Sequence, residues 1–310
     1  MLPFISKHSS LLLMLAAIIG FLFPTASQAF FPILPFILFF LMLFTLLGIK
    51  QAALLRQLAT LKVWGYALFH AIGLSIISCT IAYLFGASQA LLLAISAVSA
   101  TGSLFATPAI ARSIGLDTLN AMAMTIASTL LMPAILYVNL LLIEGNEFSL
   151  DMQSYFVRLT IFIAGPMLLS ALCHRYVNPD YLHRVHTKLA QFTILLVFAF
   201  PFGLVGEFRE MFNISALVGL QYLAMGIAIC TLFFIAGYFC YRSTGIDNAL
   251  LAAITAANRN VLLTFTVAGS YLGPEYLALM GAIQLPTYTL PLIVKFIAPR
   301  LHQGRLQINQ

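Results

Sequence analysis

The sequence predicts an all-α membrane protein of ten transmembrane helices arranged as two inverted five-helix repeats. Three observations predict it. The composition is 62% hydrophobic and only 8% charged. About ten apolar runs approach the length a helix needs to cross hydrocarbon. Polar interruptions stand at matching places in the two halves. So little charge cannot cover a water-soluble globule, and a mean hydropathy of +1.01 agrees. At roughly 20 residues per span, the runs leave no room for a separate soluble domain. The chain is therefore read as one transmembrane domain over residues 1–310, with repeat one at about 1–150 and repeat two at about 151–310.

In chain order the runs fall at about 9–24, 30–49, 63–85, 90–111, 119–143, 155–173, 189–206, 216–241, 249–272 and 276–298. The first has a second reading. Lys7, the apolar stretch from Leu11 to Phe23 and Ser27-Gln28-Ala29 also make a signal-peptide pattern, whose cleavage would leave nine spans. With ten spans the termini share a side, and the loops of that side carry Lys7, Lys50, Arg56, Lys62, Arg112, Arg175, Arg184, Lys188, Arg242, Lys295, Arg300 and Arg305. The opposite loops carry only Arg158 and Arg209, together with Glu144, Glu147, Asp151, Glu207, Glu210 and Glu275. The positive-inside rule then puts both termini in the cytoplasm, and the protein in the cell membrane, the inner membrane in a bacterium. The net charge of +6 thus reports orientation and not nucleic-acid binding, because the basic residues form no single stripe. Cys79, Cys173, Cys230 and Cys240 show no paired spacing and read as packing residues.

Five spans per half is an odd number, so a duplicated chain must hold its halves in opposite orientations. The fourth span of each half is then comparable. One contains Ser96, Ser99, Thr101, Gly102, Ser103, Thr107 and Pro108; the other contains Thr255, Asn258, Arg259, Asn260 and Thr264. Polar and helix-breaking residues survive at membrane depth where protein or a water-lined cavity satisfies the freed backbone groups. Two interrupted helices at matched positions therefore predict a midplane site. Ser96 and Ser99 read as helix-packing residues. Asn258-Arg259-Asn260 reads otherwise, since a charge at that depth costs about 2.5–3.5 kcal/mol on insertion scales. No Asp or Glu lies deep in another span to neutralise it. A purely structural Arg259 would have to be satisfied by backbone carbonyls, hydroxyls or water; a functional one offers a planar fork to a carboxylate, sulfonate or phosphate. His70 is the one deep histidine, readable as a titrating group or as a hydrogen-bonded packing residue. Gln284, Pro286, Thr287 and Pro291 mark the last span as bent, or as a cavity wall.

Two stretches carry a family resemblance, the first in three pieces and the second in one. Ser99-Ala100-Thr101-Gly102-Ser103 is followed by Ile110-Ala111-Arg112, then by Thr125-Ile126-Ala127-Ser128-Thr129 leading to Pro133, and finally by Thr255-Ala256-Ala257-Asn258-Arg259-Asn260. Their order and spacing resemble the bile acid:sodium symporter family over most of the chain. The resemblance implies ten helices in two inverted repeats, with broken helices four and nine crossing each other. It also implies two sodium ions, held by a carboxylate and an amide on helix nine, Ser and Asn at the helix-four crossing, hydroxyls on helix five and a polar group on helix three. This sequence departs from that pattern. Thr255 stands at the carboxylate position, Arg259 at the amide position and Leu104-Phe105 at the Ser-Asn pair, whereas Thr125 is retained and His70 falls near the helix-three position. A guanidinium 4 Å from sodium repels it by roughly 4 kcal/mol at an effective dielectric of about 20. These departures argue against sodium, and no other cofactor is implied.

The expectation is a secondary transporter of a small organic anion working by alternating access, with degenerate sodium sites. Substrate contacts are assigned to Arg259, Asn258, Asn260, Thr101, Ser103 and Thr255, with Arg259 meeting either the anion or a vacated cation site. Ion or polar contacts are assigned to Thr125, Thr129, His70 and Gln284. The alternatives are a non-transporting receptor or scaffold on the same fold, and a sodium-coupled symporter with altered ligands. An enzyme is not expected, because no nucleophile and base, acid pair or metal-ligand spacing appears. Ser103 after Gly102 does not make a nucleophile elbow. Beyond lipid and the anion no partner is implied, and the oligomeric state is open.

Overall fold

The described residues of each apolar run are mostly helix. The computed structural model describes residues 9–145, 151–290, 292–294 and 297; Lys7, Glu147, Pro291, Lys295, Arg300 and Arg305, named above, lie outside them. In chain order the helices are α1 (Ser9–Leu22), α2 (Pro24–Phe30), α3 (Leu34–Leu47), α4 (Gln51–Leu58), α5 (Leu61–Leu68), α6 (Leu74–Leu84), α7 (Gln89–Ala100) and α8 (Thr107–Ser113). They continue as α9 (Thr118–Glu144), α10 (Met152–Leu159), α11 (Gly165–Tyr176), α12 (Pro179–Ile214), α13 (Ala216–Tyr241), α14 (Ile246–Ala257), α15 (Val261–Ala268) and α16 (Pro274–Ala282). No strand occurs among the described residues.

Six helical stretches are long and apolar enough to cross a membrane: Pro24–Leu47, Leu61–Leu84, Thr118–Glu144, Met152–Tyr176, Ala216–Thr244 and Pro274–Val294. The other runs are shorter or differently bounded for visible reasons. The run at 189–206 lies inside the longer α12, which carries charged residues at both ends. Those at 90–111 and 249–272 are each split in two, at Thr101–Ala106 and at Asn258–Asn260. Two of the long stretches contain one wide π turn, at Phe69–Gly73 and Thr160–Ala164. In the last stretch the helix is interrupted at Ile283, just after the carbonyl of Ala282 that the ring of Pro286 would meet four residues on.

Packing divides the helices into two groups. In one, α12 runs along α1, α2 and α3, and α11 leans on α3. In the other, α9 packs on α5 and α7, α7 on α6 and α16, and α13 on α14 and α16. Helix α12 joins them through α13 and α16. At that seam Gly281 is required, because a Cβ there would lie 2.6 Å from the Leu204 carbonyl oxygen. Ser27 Oγ donates to the Phe202 carbonyl at 2.7 Å and accepts from the Gly206 N–H at 3.0 Å, tying α2 to two groups four residues apart on α12.

Candidate functional site at the paired helix breaks

The two broken helices meet at their breaks. Thr101, at the C-terminal end of α7, is extended (φ −63°, ψ 148°), and the following Gly-Ser-Leu-Phe-Ala segment stays out of helix until Pro108 fits into the first turn of α8. At Asn258 (φ −82°, ψ 89°) the backbone leaves α14, and it re-enters helix after Asn260. Ser103 and Arg259 pair as an antiparallel bridge. The Leu104 N–H donates to the Asn258 carbonyl at 2.8 Å, and the Asn260 N–H to the Gly102 carbonyl at 2.9 Å. Each break thus satisfies polar groups that the other exposes. An unmade pair at this depth would cost several kcal/mol, by the ~2–7 kcal/mol price of burying a lone amide.

Side chains reinforce the pairing. Thr101 Oγ1 donates to the Asn260 carbonyl at 2.9 Å and accepts from Thr264 Oγ1 at 2.6 Å. Ser103 Oγ lies 3.3 Å from both the Asn258 carbonyl and Thr107 Oγ1, while the Ser103 N–H donates to Ser128 Oγ at 3.1 Å. Gly102 rests directly on α9: a Cβ there would stand 2.6 Å from Thr129 Oγ1 and 2.8 Å from Thr129 Cα. Only a residue without a side chain lets the break of α7 approach α9 this closely.

Arg259 is 2% exposed and has no carboxylate partner among the described residues. Its Nη1 donates to the carbonyls of Ser99 at 2.9 Å, Thr101 at 3.0 Å and His70 at 3.3 Å; its Nη2 donates to His70 at 3.4 Å. The first two oxygens end α7, where the helix dipole is negative. The third belongs to the wide turn of the third apolar run. Phe233 closes the remaining side, with Cζ 4.2 Å from the ring centroid, a cation–π geometry. His70 is fixed at both nitrogens. Its Nε2–H donates to the Thr101 carbonyl at 3.1 Å, since a carbonyl only accepts, which leaves Nδ1 to accept from the Tyr66 hydroxyl at 2.8 Å.

Of the residues singled out from the sequence, Thr101, Ser103, Asn258, Arg259, Asn260 and His70 come together here, and Thr129 borders them through Gly102. Thr255 does not turn to the bridge: its hydroxyl donates to Leu251 and Ala252 of its own helix and faces Met124 Sδ at 3.8 Å. Gln284 likewise donates to the Met280 carbonyl, four residues back across the interruption at Ile283. Thr125 is fully buried on α9. Sequence reasoning missed Tyr66, Ser128, Phe233 and Thr264 as partners. Thr264 and Ser128 stood among the polar residues of their spans, and Tyr66 left a signal four residues before His70 on one helical face.

A buried polar atom normally has a partner. Here Thr125 Oγ1, Thr129 Oγ1, both side-chain atoms of Asn258 and of Asn260, and Arg259 Nε have none among the described residues. Nearby, a cavity of about 630 Å³ is lined by apolar side chains including Ile81, Phe85, Leu91, Ile95, Met225 and Ile229. Ser78 also lines it and shares a 2.6 Å hydrogen bond with Ser99, whose carbonyl holds Arg259.

The fold and the site define a class: an all-helical membrane protein whose two broken helices pair at a buried polar centre. The chain matches no family model and no curated protein.

Proposed function

We propose that the protein is a secondary transporter that carries a small organic anion across the membrane by alternating access at the paired breaks. In this reading the apolar runs are ten crossings in two inverted five-helix repeats with both termini cytoplasmic. The pairs α7–α8 and α14–α15 are its broken helices four and nine. One observation carries it: unpartnered polar atoms of Thr129, Asn258, Asn260 and Arg259 gather at the paired breaks, beside a positive charge with no carboxylate partner among the described residues. A packing motif would leave no such groups, because each costs about 1–3 kcal/mol unpaired. A solute that pairs with them recovers that cost, and the positive field selects an anion. Asn258, Asn260, Thr125 and Thr129 supply its polar contacts, with Arg259 supplying Nε–H and field. The apolar cavity near Ser78 gives an organic body room. The α1–α3, α11 and α12 group would rock against the group that holds the breaks, along the α12–α16 seam.

Ligand binding raises apparent stability by about 2.7 kcal/mol at a hundredfold excess over Kd. Thermal unfolding of the purified protein against a panel of carboxylates, sulfonates, neutral analogues and organic cations tests the reading. At least one anion should raise the apparent Tm saturably, and Asn258→Leu should remove that shift. Stabilisation by cations or neutral solutes alone would overturn it.

A further inference from the structure

We infer that the carbonyls of Ser99, Thr101 and His70 form a cage for a monovalent cation, and that the chain fills this cage permanently with the guanidinium of Arg259. Three carbonyl oxygens lie 2.9, 3.0 and 3.3 Å from one nitrogen, Nη1. Neutral oxygens converging on one point from a helix C-terminus and a wide turn are the ligand set of a hard cation, not of an anion. The face of Phe233 at 4.2 Å completes a cation-accepting shell.

The same distances take the end-on fork of Arg259, Nη1 with Nη2, away from substrate and leave only its Nε edge. A carboxylate grips guanidinium through two adjacent N–H groups. Nη1 and Nη2 are engaged with carbonyls, leaving Nε without a partner. The positions at which the family resemblance implies sodium ligands do not form a sodium site either. Thr255 spends its hydroxyl on its own helix, and Arg259 brings a fixed charge into the break. The cation is therefore part of the chain, and the site needs none from solution. What this means for coupling rests on the transporter reading: substrate movement would be independent of sodium. The cage itself does not rest on it, so its test uses neither substrate nor transport.

Emptying the cage should create a binding site for a free cation. Purified wild type and Arg259→Ala would be unfolded thermally in choline, sodium, potassium and guanidinium chlorides at matched, low millimolar concentrations. Wild type should show one Tm in all four. Arg259→Ala should be less stable in choline and recover by about 5 °C or more, saturably, in guanidinium, as expected for a ligand well above its Kd. A variant equally stable in choline, or one that guanidinium does not rescue, overturns the inference, as does a selective sodium shift of wild type. If Arg259→Ala cannot be recovered folded, Arg259→Lys and Arg259→Gln decide. The lysine variant, which keeps a cation at the carbonyls, should melt well above the uncharged glutamine variant; equal or reversed values contradict the cage.

Discussion

Gly102→Ala is expected to separate the two breaks and to lower the apparent Tm of the purified protein by roughly 5–10 °C. The added Cβ would meet Thr129 Oγ1 at 2.6 Å, Thr129 Cα at 2.8 Å and Thr129 N at 3.0 Å. Two of these atoms are backbone within α9, a continuous helix from Thr118 to Glu144, so they cannot rotate aside. Overpacking of this kind costs about 1–3 kcal/mol. Here the cost spreads, because moving Gly102 away from α9 also disturbs the Asn260 N–H bond to its carbonyl and the Ser103 N–H bond to Ser128. Ligand-induced stabilisation should vanish with it. Gly65→Ala is the matched control, since nothing lies within 4 Å of the added atom. Equal stability of Gly102→Ala and Gly65→Ala would contradict the close approach.

Thr101→Val is expected to cost about 2 kcal/mol, nearly isosteric though it is. The lost hydroxyl takes the side-chain donor from the Asn260 carbonyl, which keeps the Leu263 N–H at 3.0 Å, and the acceptor from Thr264 Oγ1. Each lost hydrogen bond costs about 0.5–1.5 kcal/mol. Thr264→Val should cost less alone, because Thr101 keeps its bond to Asn260. The double variant should cost clearly less than the sum, as groups in one network are not additive. Additive losses, measured by thermal or denaturant unfolding, would show that the two hydroxyls do not interact.

Much of this arrangement is legible in the sequence, because membrane depth constrains it so strongly. Apolar runs identify the helices, and Gly102, Pro108 and the Asn258-Arg259-Asn260 triplet mark where two of them break. The partners of Arg259 are a different matter. Its acceptors are main-chain carbonyls of Ser99, Thr101 and His70, and any residue type would supply them. Phe233 is indistinguishable in sequence from the lipid-facing aromatics of α13, such as Phe239. Thr255 illustrates the reverse ambiguity. A hydroxyl beside a break reads as a site group, yet Thr can satisfy itself on the carbonyls three and four residues back, as it does on Ala252 and Leu251. His70 reads two ways until its neighbours are seen. With Tyr66 on one nitrogen and Thr101 on the other, it holds the wall of the cage.

The function proposed for the paired breaks is to move an organic anion. Its most direct test is uptake into liposomes containing the purified protein, using the anion that stabilises it best, with sodium on both sides replaced by potassium or choline. Uptake should be saturable, unchanged by removing sodium and lost in Gly102→Ala. Tight binding of the same anion with no uptake above protein-free liposomes would contradict it and leave a receptor on the same fold.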